Sequence, residues 1–146
     1  MLDELDYPMF IATVPGDGCL VGFATQCSID PVRVLVCLSD KNRTYRLAAE
    51  ATHMALHAVP EDRPELAELF GGETADDVDK LARVEWRAGP GDVPLIDGCP
   101  YVAGPVRDRF EVGDHVAFVF DVEVEEGAAT PLRFQRARAI DPGHEA

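Results

Sequence analysis

The sequence predicts a mainly β fold, an antiparallel barrel with helical insertions. Apolar and β-branched runs outnumber the helical segments along the chain. The turn signals between these runs recur at intervals too short for the crossover connections that join parallel strands. The 146 residues, 47% hydrophobic and 27% charged, also have the length and composition of one globular domain, residues 1–146.

The first strands are indicated by two apolar runs with a turn between them. Residues 7–14 and 19–24 favour β structure, and the Pro-Gly-Asp-Gly sequence at 15–18 has turn chemistry, so a β-hairpin is predicted. Residues 24–28, Ala-Thr-Gln-Cys-Ser, are small and polar and are expected to form a loop. Residues 32–38 are rich in β-branched side chains and follow Asp30-Pro31, which favours a buried strand.

The middle of the chain contains the helical signals. The polar residues 39–44 form a strand-to-helix elbow, and the composition of residues 45–51 favours helix. The alternation from His53 onward predicts a short strand up to Pro60. Two further helices are predicted at residues 62–70, with Pro64 in the first turn, and at residues 74–83, where Thr74 and Asp77 have capping-box spacing.

The second half of the chain is predicted to form strands and one long loop. Residues 88–100 contain three Gly and three Pro and are predicted to be loop, with residues 94–96 at a sheet edge. Residues 101–106 predict a strand, and residues 115–125 show the clearest alternation in the chain. Residues 132–140 are expected to form the final strand, and the last six residues a frayed tail.

Charge and cysteine content exclude several classes of function. The net charge is −14, with 13 basic against 27 acidic residues, which argues against nucleic-acid binding. The four cysteines show neither metal-site nor secreted-protein spacing and are interpreted as reduced thiols. The acidic N-terminus is unlike a signal peptide, and no apolar run is as long as a membrane span, so a cytoplasmic protein is expected.

The elbow is the best candidate for an anion site. The start of a helix offers unpaired backbone N–H groups and a favourable dipole. The elbow adds hydroxyl, amide and cationic side chains, namely Ser39, Lys41, Asn42, Arg43 and Thr44. An ordinary N-cap with solvated charges is the alternative interpretation of the same residues.

Other candidate residues have weaker local signals. Residues 24–28 could lie against a flat ligand, although Cys27 by itself is more often a small packing residue. His115 follows Gly113-Asp114 at the start of a strand and could donate a hydrogen bond or proton, or simply belong to a turn. His53 and His57 are read as residues on one face of a strand, and no metal site is predicted.

Taken in order, these segments resemble the flavin reductase-like family, whose fold is an FMN-binding split β-barrel of antiparallel Greek-key type. The resemblance covers residues 7–140 and depends on the order and spacing of several pieces rather than on one motif. These pieces are the sequence at 22–31, the strand at 34–39, Asn42-Arg43-Thr44, Asp79-Lys80-Leu81, residues 91–95 and Gly113-Asp114-His115.

The resemblance implies a cofactor, a reaction and partners. It implies an NAD(P)H-dependent reductase that transfers hydride from NADH or NADPH to FMN or FAD, works as a homodimer with flavin near the interface, and supplies reduced flavin to a monooxygenase. His115 would help to place the nicotinamide. The isoalloxazine ring would lie along Thr25, Gln26, Cys27 and Ser28, and the phosphate against Ser39, Lys41, Asn42, Arg43 and Thr44.

Two departures from the family pattern keep other functions open. The stretch from Gly22 to Pro31 is shorter than in many members, and the chain carries little beyond the barrel. One alternative is a flavin-binding electron carrier or sensor without nicotinamide turnover. Another is a split-barrel interaction module that has lost the flavin.

Overall fold

A computed structural model of the chain describes residues 1–72 and 77–139. Its α-helices in this part are α1 (Arg43–Ala48), α2 (Pro64–Gly71) and α3 (Phe134–Ala137), and its 3-10 helices are Leu2–Glu4, Lys80–Arg83 and Pro90–Asp92. The strands are β1 (Phe10–Val14), β2 (Asp17–Val21), β3 (Ala24–Ile29), β4 (Val32–Ser39), β5 (His53–Ala58), β6 (Trp86–Ala88), β7 (Pro94–Ile96), β8 (Tyr101–Glu111), β9 (His115–Asp121) and β10 (Val124–Glu126).

The main sheet is antiparallel and is organised around its longest strand. The strand order is β2-β1-β5-β8-β9-β4-β3, with β10 also paired to β8. The first half of β8 pairs with β5, and its second half pairs with β9 after a register shift between Val106 and Asp108. β8 therefore belongs to both halves of the sheet. β6 and β7 form a separate two-stranded sheet.

The sheet curls so that its two ends share one core. Buried side chains of β1, β2 and β5 pack in a single cluster with those of β4 and β9, including Val14, Met54, Val36, Phe118 and Phe120. Strands at opposite ends of the strand order can meet in this way only if the sheet curves. The antiparallel barrel-like architecture that the sequence predicts is thus confirmed.

A second apolar cluster covers the outside of the β1–β5 half. Leu66, Ala67 and Phe70 of α2 pack with Ile11 of β1 and with Leu132 near the C-terminus. The outer face of the other half, on β4, β9 and the end of β8, has no such helix over it among the described residues. This difference leaves one face of the molecule open.

Most of the predicted elements are present. The hairpin is β1–β2, residues 32–38 fall in β4, and the elbow leads into α1, which begins two residues earlier than expected. β5 and α2 also match their predictions, and residues 94–96 do form an edge strand, β7. β8 continues five residues beyond the predicted end, and the strand predicted at residues 115–125 is divided into β9 and β10. No described helix has the length and hydropathy of a membrane span, and the longest, α2, has eight residues.

Three predictions of local structure are wrong. Residues 24–28 are not a loop but most of β3, a strand whose side chains are largely exposed and therefore lack an apolar face. Residues 132–139 do not form the strand predicted at 132–140: after an isolated bridge from Arg133 to Pro8, residues with good helix propensity form α3. Only Lys80–Arg83 of the helix predicted at 74–83 is helical in the described part, and Thr74, like Ile140 and the tail, lies outside the described residues.

Candidate functional site

The elbow between β4 and α1 is fixed by hydrogen bonds at both of its ends. The side chain of Asn42 caps α1, because its Oδ1 accepts from the backbone N–H of Tyr45 at 2.7 Å. At the other end, the backbone N–H of Asp40 donates to the carbonyl of Asp114 at 3.0 Å. The elbow therefore lies against the turn that joins β8 to β9.

Two of the five predicted anion-binding side chains in the elbow point into the protein. Thr44 is fully buried, and its hydroxyl donates to Oδ2 of Asp17 at 2.9 Å. Asn42 is also buried, and its Nδ2 lies 3.5 Å from Sγ of Cys19. Asp17 and Cys19 are two residues apart in β2 and so lie on the same side of that strand. One side of β2 thus holds the first turn of α1.

The other three elbow residues are placed differently. The Oγ of Ser39, a buried residue, accepts from the backbone N–H of Lys41 at 3.3 Å. Lys41 is exposed and Arg43 is half-buried, so both cationic side chains stay near the surface. In the elbow, Ser39, Asn42 and Thr44 therefore stabilise the turn, and Lys41 and Arg43 can contact a charged ligand.

His115 lies beside the elbow at the start of β9. It pairs with Ser39 in the β4–β9 register, and its Nδ1 is 2.7 Å from Oδ1 of Asp114. The hydrogen bond from His115 lowers the pKa of the Asp114 carboxyl, and the nearby charge of Lys41 acts in the same direction. An ionised carboxylate on Nδ1 fixes the orientation of the imidazole and leaves Nε2 for a ligand.

Phe23 is a site residue that the analysis of the sequence missed. Its side chain is 54% exposed, and its ring centroid lies 5.3 Å from that of His115. Its carbonyl accepts from the backbone N–H of Cys37, which places Phe23 beside β4 two residues before Ser39. The only signal in the sequence was an aromatic residue directly before the segment predicted to contact a flat ligand.

Two further aromatic rings, those of Tyr7 and Phe134, pack in a row next to Phe23. Tyr7 lies 6.3 Å from Phe23, and Tyr7 in turn stacks on Phe134 of α3 with centroids 4.7 Å apart. Gly22 allows this approach, because a Cβ there would lie 2.7 Å from Cε1 of Tyr7. Burial raises the pKa of the Tyr7 hydroxyl above its ordinary value. The position of Phe23 is therefore set by residues far away in the sequence.

The residues predicted to lie along a flat ligand are on the edge strand β3. A bulge at Cys27 shifts the pairing from Gln26↔Val34 to Ser28↔Arg33. Thr25, Gln26 and Cys27 are exposed, and Ser28 is half-buried. These four residues present a polar edge with an interrupted hydrogen-bonding ladder.

The predicted site residues form two groups that Phe23 connects. Thr25 pairs with Leu35, four residues before Ser39 in β4, so the β3 group and the elbow are separated by about 13 Å along the strand direction. Phe23 lies between them, beside Cys37. All ten predicted residues therefore lie in one half of the sheet. Four are on its edge strand β3, and the other six are where β4 ends and β9 begins.

The remaining histidines lie elsewhere. His57 is fully buried in β5, where Nδ1 is 3.0 Å from the Ile11 carbonyl and Nε2 accepts from the N–H of Ile96 at 3.0 Å. His53 precedes it on the same face of β5, about 13 Å away. Within residues 1–72 and 77–139, no three His, Cys, Asp or Glu side chains are grouped as metal ligands.

The side chains at this site can bind a charged group and a flat ring. Lys41 and Arg43 can bind an anionic group through charge-assisted hydrogen bonds. Phe23 offers a ring on which a flat molecule can stack, and His115 offers a nitrogen held in one orientation by Asp114. These features fit a ligand that combines a flat ring system with a phosphate.

Most of the chain is similar in sequence to known proteins. Residues 2–140 match the family model described as the flavin reductase like domain. The reductase component of 4-nitrophenol 4-monooxygenase/4-nitrocatechol 2-monooxygenase from Rhodococcus opacus is 31% identical over 122 residues, which are 83% of this chain and 64% of that protein. The chain spans less than half the length of the next three curated relatives that it matches.

Solved structures have the same fold. An FMN-binding protein from Thermus thermophilus superposes with a TM-score of 0.78 at 22% identity, covering 84% of this chain and 71% of that one. The NADH:FAD oxidoreductase of Streptomyces globisporus superposes with a TM-score of 0.76 at 22% identity, covering 91% and 76%. Because the family model spans nearly the whole sequence and the fold agrees with it, the chain belongs to the flavin reductase-like family.

Proposed function

We propose that this protein is an NAD(P)H-dependent flavin reductase that uses NADH or NADPH to reduce FMN or FAD. The observation that carries the proposal is the position of two cations, Lys41 and Arg43, in an elbow that bonds to the β8–β9 turn. His115, which follows that turn, contacts the ring of Phe23. A flavin nucleotide has both a phosphate and a flat ring system. The bound flavin would supply the redox chemistry by accepting hydride from nicotinamide.

The elbow would hold the flavin phosphate. Lys41 and Arg43 are the charged contacts. The backbone N–H groups of Arg43 and Thr44 at the start of α1 are further donors, since helix geometry leaves them without intrahelical partners, whereas that of Tyr45 is bonded to Asn42. Asn42 and Thr44 would contribute by fixing the turn, since their side chains are bonded to β2 and to the helix itself. In a chain of net charge −14, this local pair of cations is what opposes the overall repulsion of a phosphate.

The ring of the flavin would lie along β3. Residues Thr25, Gln26, Cys27 and Ser28 are exposed or half-buried on that edge, and the bulge at Cys27 interrupts its ladder. Backbone groups released from a ladder are suited to hydrogen-bond the polar rim of a flat heterocycle. Phe23 lies between this edge and the elbow, so it is in reach of both the flavin ring and a second ring bound next to it.

His115 would help to place the nicotinamide. The Asp114 carboxylate orients its ring, and Phe23 contacts that ring from the side. The side chain is 18% exposed, which leaves part of the imidazole open to a ligand. In this role His115 binds and orients the donor, and no proton needs to be removed from the substrate.

A second copy of the chain would cover the open outer face of the sheet. Leu35 pairs with Val119, and Cys37 pairs with Ala117, which in turn pairs with Phe110, so these side chains share one face. Phe110 is 44% exposed there. An apolar sheet face without a covering helix is suited to a symmetric dimer contact. This supports a homodimer with flavin bound near the interface.

The reduced flavin would be passed to a partner monooxygenase. The Rhodococcus opacus relative is named as the reductase component of such a system. We place the protein in the cytoplasm, where the thiols of Cys27, Cys37 and Cys99 would stay reduced.

The test is an assay of purified protein with FMN and either NADH or NADPH. Nicotinamide absorbance should fall faster than in the protein-free mixture with at least one donor. FMN that is retained but never reduced by either donor would instead identify a flavin carrier or sensor. Failure to quench the fluorescence of added FMN would identify an interaction module without flavin.

A further inference from the structure

Lys80 is a buried cation that the proposed reaction does not use. It is the first residue of the 3-10 helix Lys80–Arg83, and its side chain has no exposed surface. Its Nζ lies 3.5 Å from Oδ1 of Asp17, whose side chain is 2% exposed, and 6.0 Å from the ring centroid of Phe70. In the described part of the chain this Nζ has no hydrogen-bond partner. Lysine is almost never buried so completely unless it is paired.

Asp17 connects Lys80 to the elbow. One carboxylate oxygen faces the Lys80 ammonium, and the other accepts the hydroxyl of Thr44 at 2.9 Å. Thr44 belongs to the first turn of α1, between the cations proposed to bind phosphate and the rest of the helix. A continuous path of contacts therefore runs from residues 80–83, through β2, to the elbow.

A buried ion pair is not needed merely to stabilise a fold. Removing two charges from water costs several kcal/mol per ion, and apolar side chains of similar size often do as well or better. The pair does fix the Asp17 side chain, because Lys80 lies at one carboxyl oxygen and the other oxygen accepts the Thr44 hydroxyl. Its clearest structural consequence is thus the position of the first turn of α1.

We propose that Lys80 is a positioning residue for the phosphate-binding elbow, acting through Asp17 and Thr44. The proposal rests on the proposed flavin site and goes beyond it by assigning part of that site's affinity to a residue that touches no ligand. Without Lys80, the buried Asp17 side chain loses its counter-ion, and it must find another partner or admit water. Either change alters its bond to Thr44 and displaces the elbow. Among the described residues, no hydrogen bond or ion pair joins residues 25–28 of β3 to Lys80, Asp17 or Thr44.

The experiment compares the dissociation constants of FMN and riboflavin, which lacks the phosphate, by fluorescence quenching. Wild-type protein should bind FMN more tightly, and if it does not, the proposed phosphate site fails independently of Lys80. Lys80→Met should weaken FMN binding about 10-fold, the effect of about 1.4 kcal/mol, with little change for riboflavin. Arg83→Met is the matched control, since Arg83 is an exposed cation in the same 3-10 helix. It should leave both constants unchanged.

Two neutral double variants keep the test valid if Lys80→Met does not fold. Asp17→Asn with Lys80→Met removes both charges but keeps an oxygen that can accept from Thr44, and it should retain the preference for FMN. Asp17→Leu with Lys80→Met removes that acceptor and should lose the preference. An unchanged FMN to riboflavin ratio in folded Lys80→Met, or equal ratios in the two double variants, would overturn the proposal.

Discussion

The ring of Phe23 lies 5.3 Å from the ring of His115, with the two planes tilted by 53°. Phe23 is more than half exposed, yet Tyr7 packs behind it and Gly22 makes room for that contact. The two rings therefore form a fixed aromatic edge between the elbow and β3. An exposed ring held in this way is suited to stack against a bound ring, and this leads to the first prediction.

Phe23→Ala should weaken binding of the ring-containing ligands. Aromatic pairs contribute about 0.5–1.5 kcal/mol beyond buried area, so the KM for the nicotinamide or the Kd for flavin should rise about 2- to 13-fold. Steady-state reduction of FMN and fluorescence titration measure the two constants. Trp86→Ala is the control, because Trp86 is 43% exposed on the separate β6–β7 sheet. If neither constant changes in Phe23→Ala, the ring contact proposed for Phe23 is wrong.

The sequence predicted elements whose signals are local. The hairpin β1–β2 has its turn residues, β4 has its β-branched run, and α1 has Asn42 as a cap. β3 was missed because an edge strand with exposed polar side chains has the composition of a loop. The helix at residues 134–137 was missed because its short span competes with a strand-like apolar pattern.

Within the candidate site, the sequence predicted which residue types are present, but it did not predict where their side chains point. Thr44 looked like a ligand residue, yet its hydroxyl bonds to Asp17, which is 27 positions away. Phe23 was not singled out, since its support comes from Tyr7 and, through it, from Phe134 near the C-terminus. Contacts of this range are fixed by tertiary packing, which neither propensity nor motif spacing describes.

The double substitution Lys41→Ala with Arg43→Ala should weaken FMN binding about 10- to 100-fold, because hydrogen bonds to charged groups contribute about 1.5–3 kcal/mol. Riboflavin affinity should change little, since riboflavin has no phosphate. Raising the salt concentration should reduce the difference between wild type and variant. Titration of both ligands at two salt concentrations measures these effects.

Arg46→Ala is the control for the charge change, as Arg46 is an exposed cation in the last turn of α1. It should preserve the FMN preference. Equal losses of FMN and riboflavin in the Lys41/Arg43 variant would show that the phosphate binds elsewhere.

Phe110→Arg should disrupt the proposed dimer. Phe110 is 44% exposed on the open outer face, and a guanidinium buried in an apolar contact costs several kcal/mol. The mass measured by light scattering should fall from twice 15.9 kDa to 15.9 kDa. FMN affinity should also fall, because the flavin is proposed to bind near the interface. Val124→Arg, an exposed valine on β10, is the control and should remain dimeric. Wild-type protein that is monomeric at all concentrations tested would contradict the proposed assembly.

His57 should make the stability of the fold decrease in acid. Burial lowers its pKa from 6.5 to about 4, against the opposing effect of its hydrogen bond to the Ile11 carbonyl. The unfolded chain therefore binds a proton at higher pH than the folded chain does. This contribution to stability is complete above about pH 6.5 and is lost as the pH falls toward 4, about 2 kcal/mol of it between pH 7 and 5.

Urea unfolding at about pH 7 and about pH 5 tests this titration. His57→Gln keeps an amide that can donate and accept but does not titrate, so the stability difference between the two pH values should shrink by about 2 kcal/mol. The control is His53→Gln, at a half-buried histidine on the same face of β5 whose Nδ1 lies 2.9 Å from the Thr52 hydroxyl. His53→Gln should keep the wild-type difference. If His57→Gln keeps it too, the acid sensitivity arises from other groups, and His57 is not protonated on unfolding in this range.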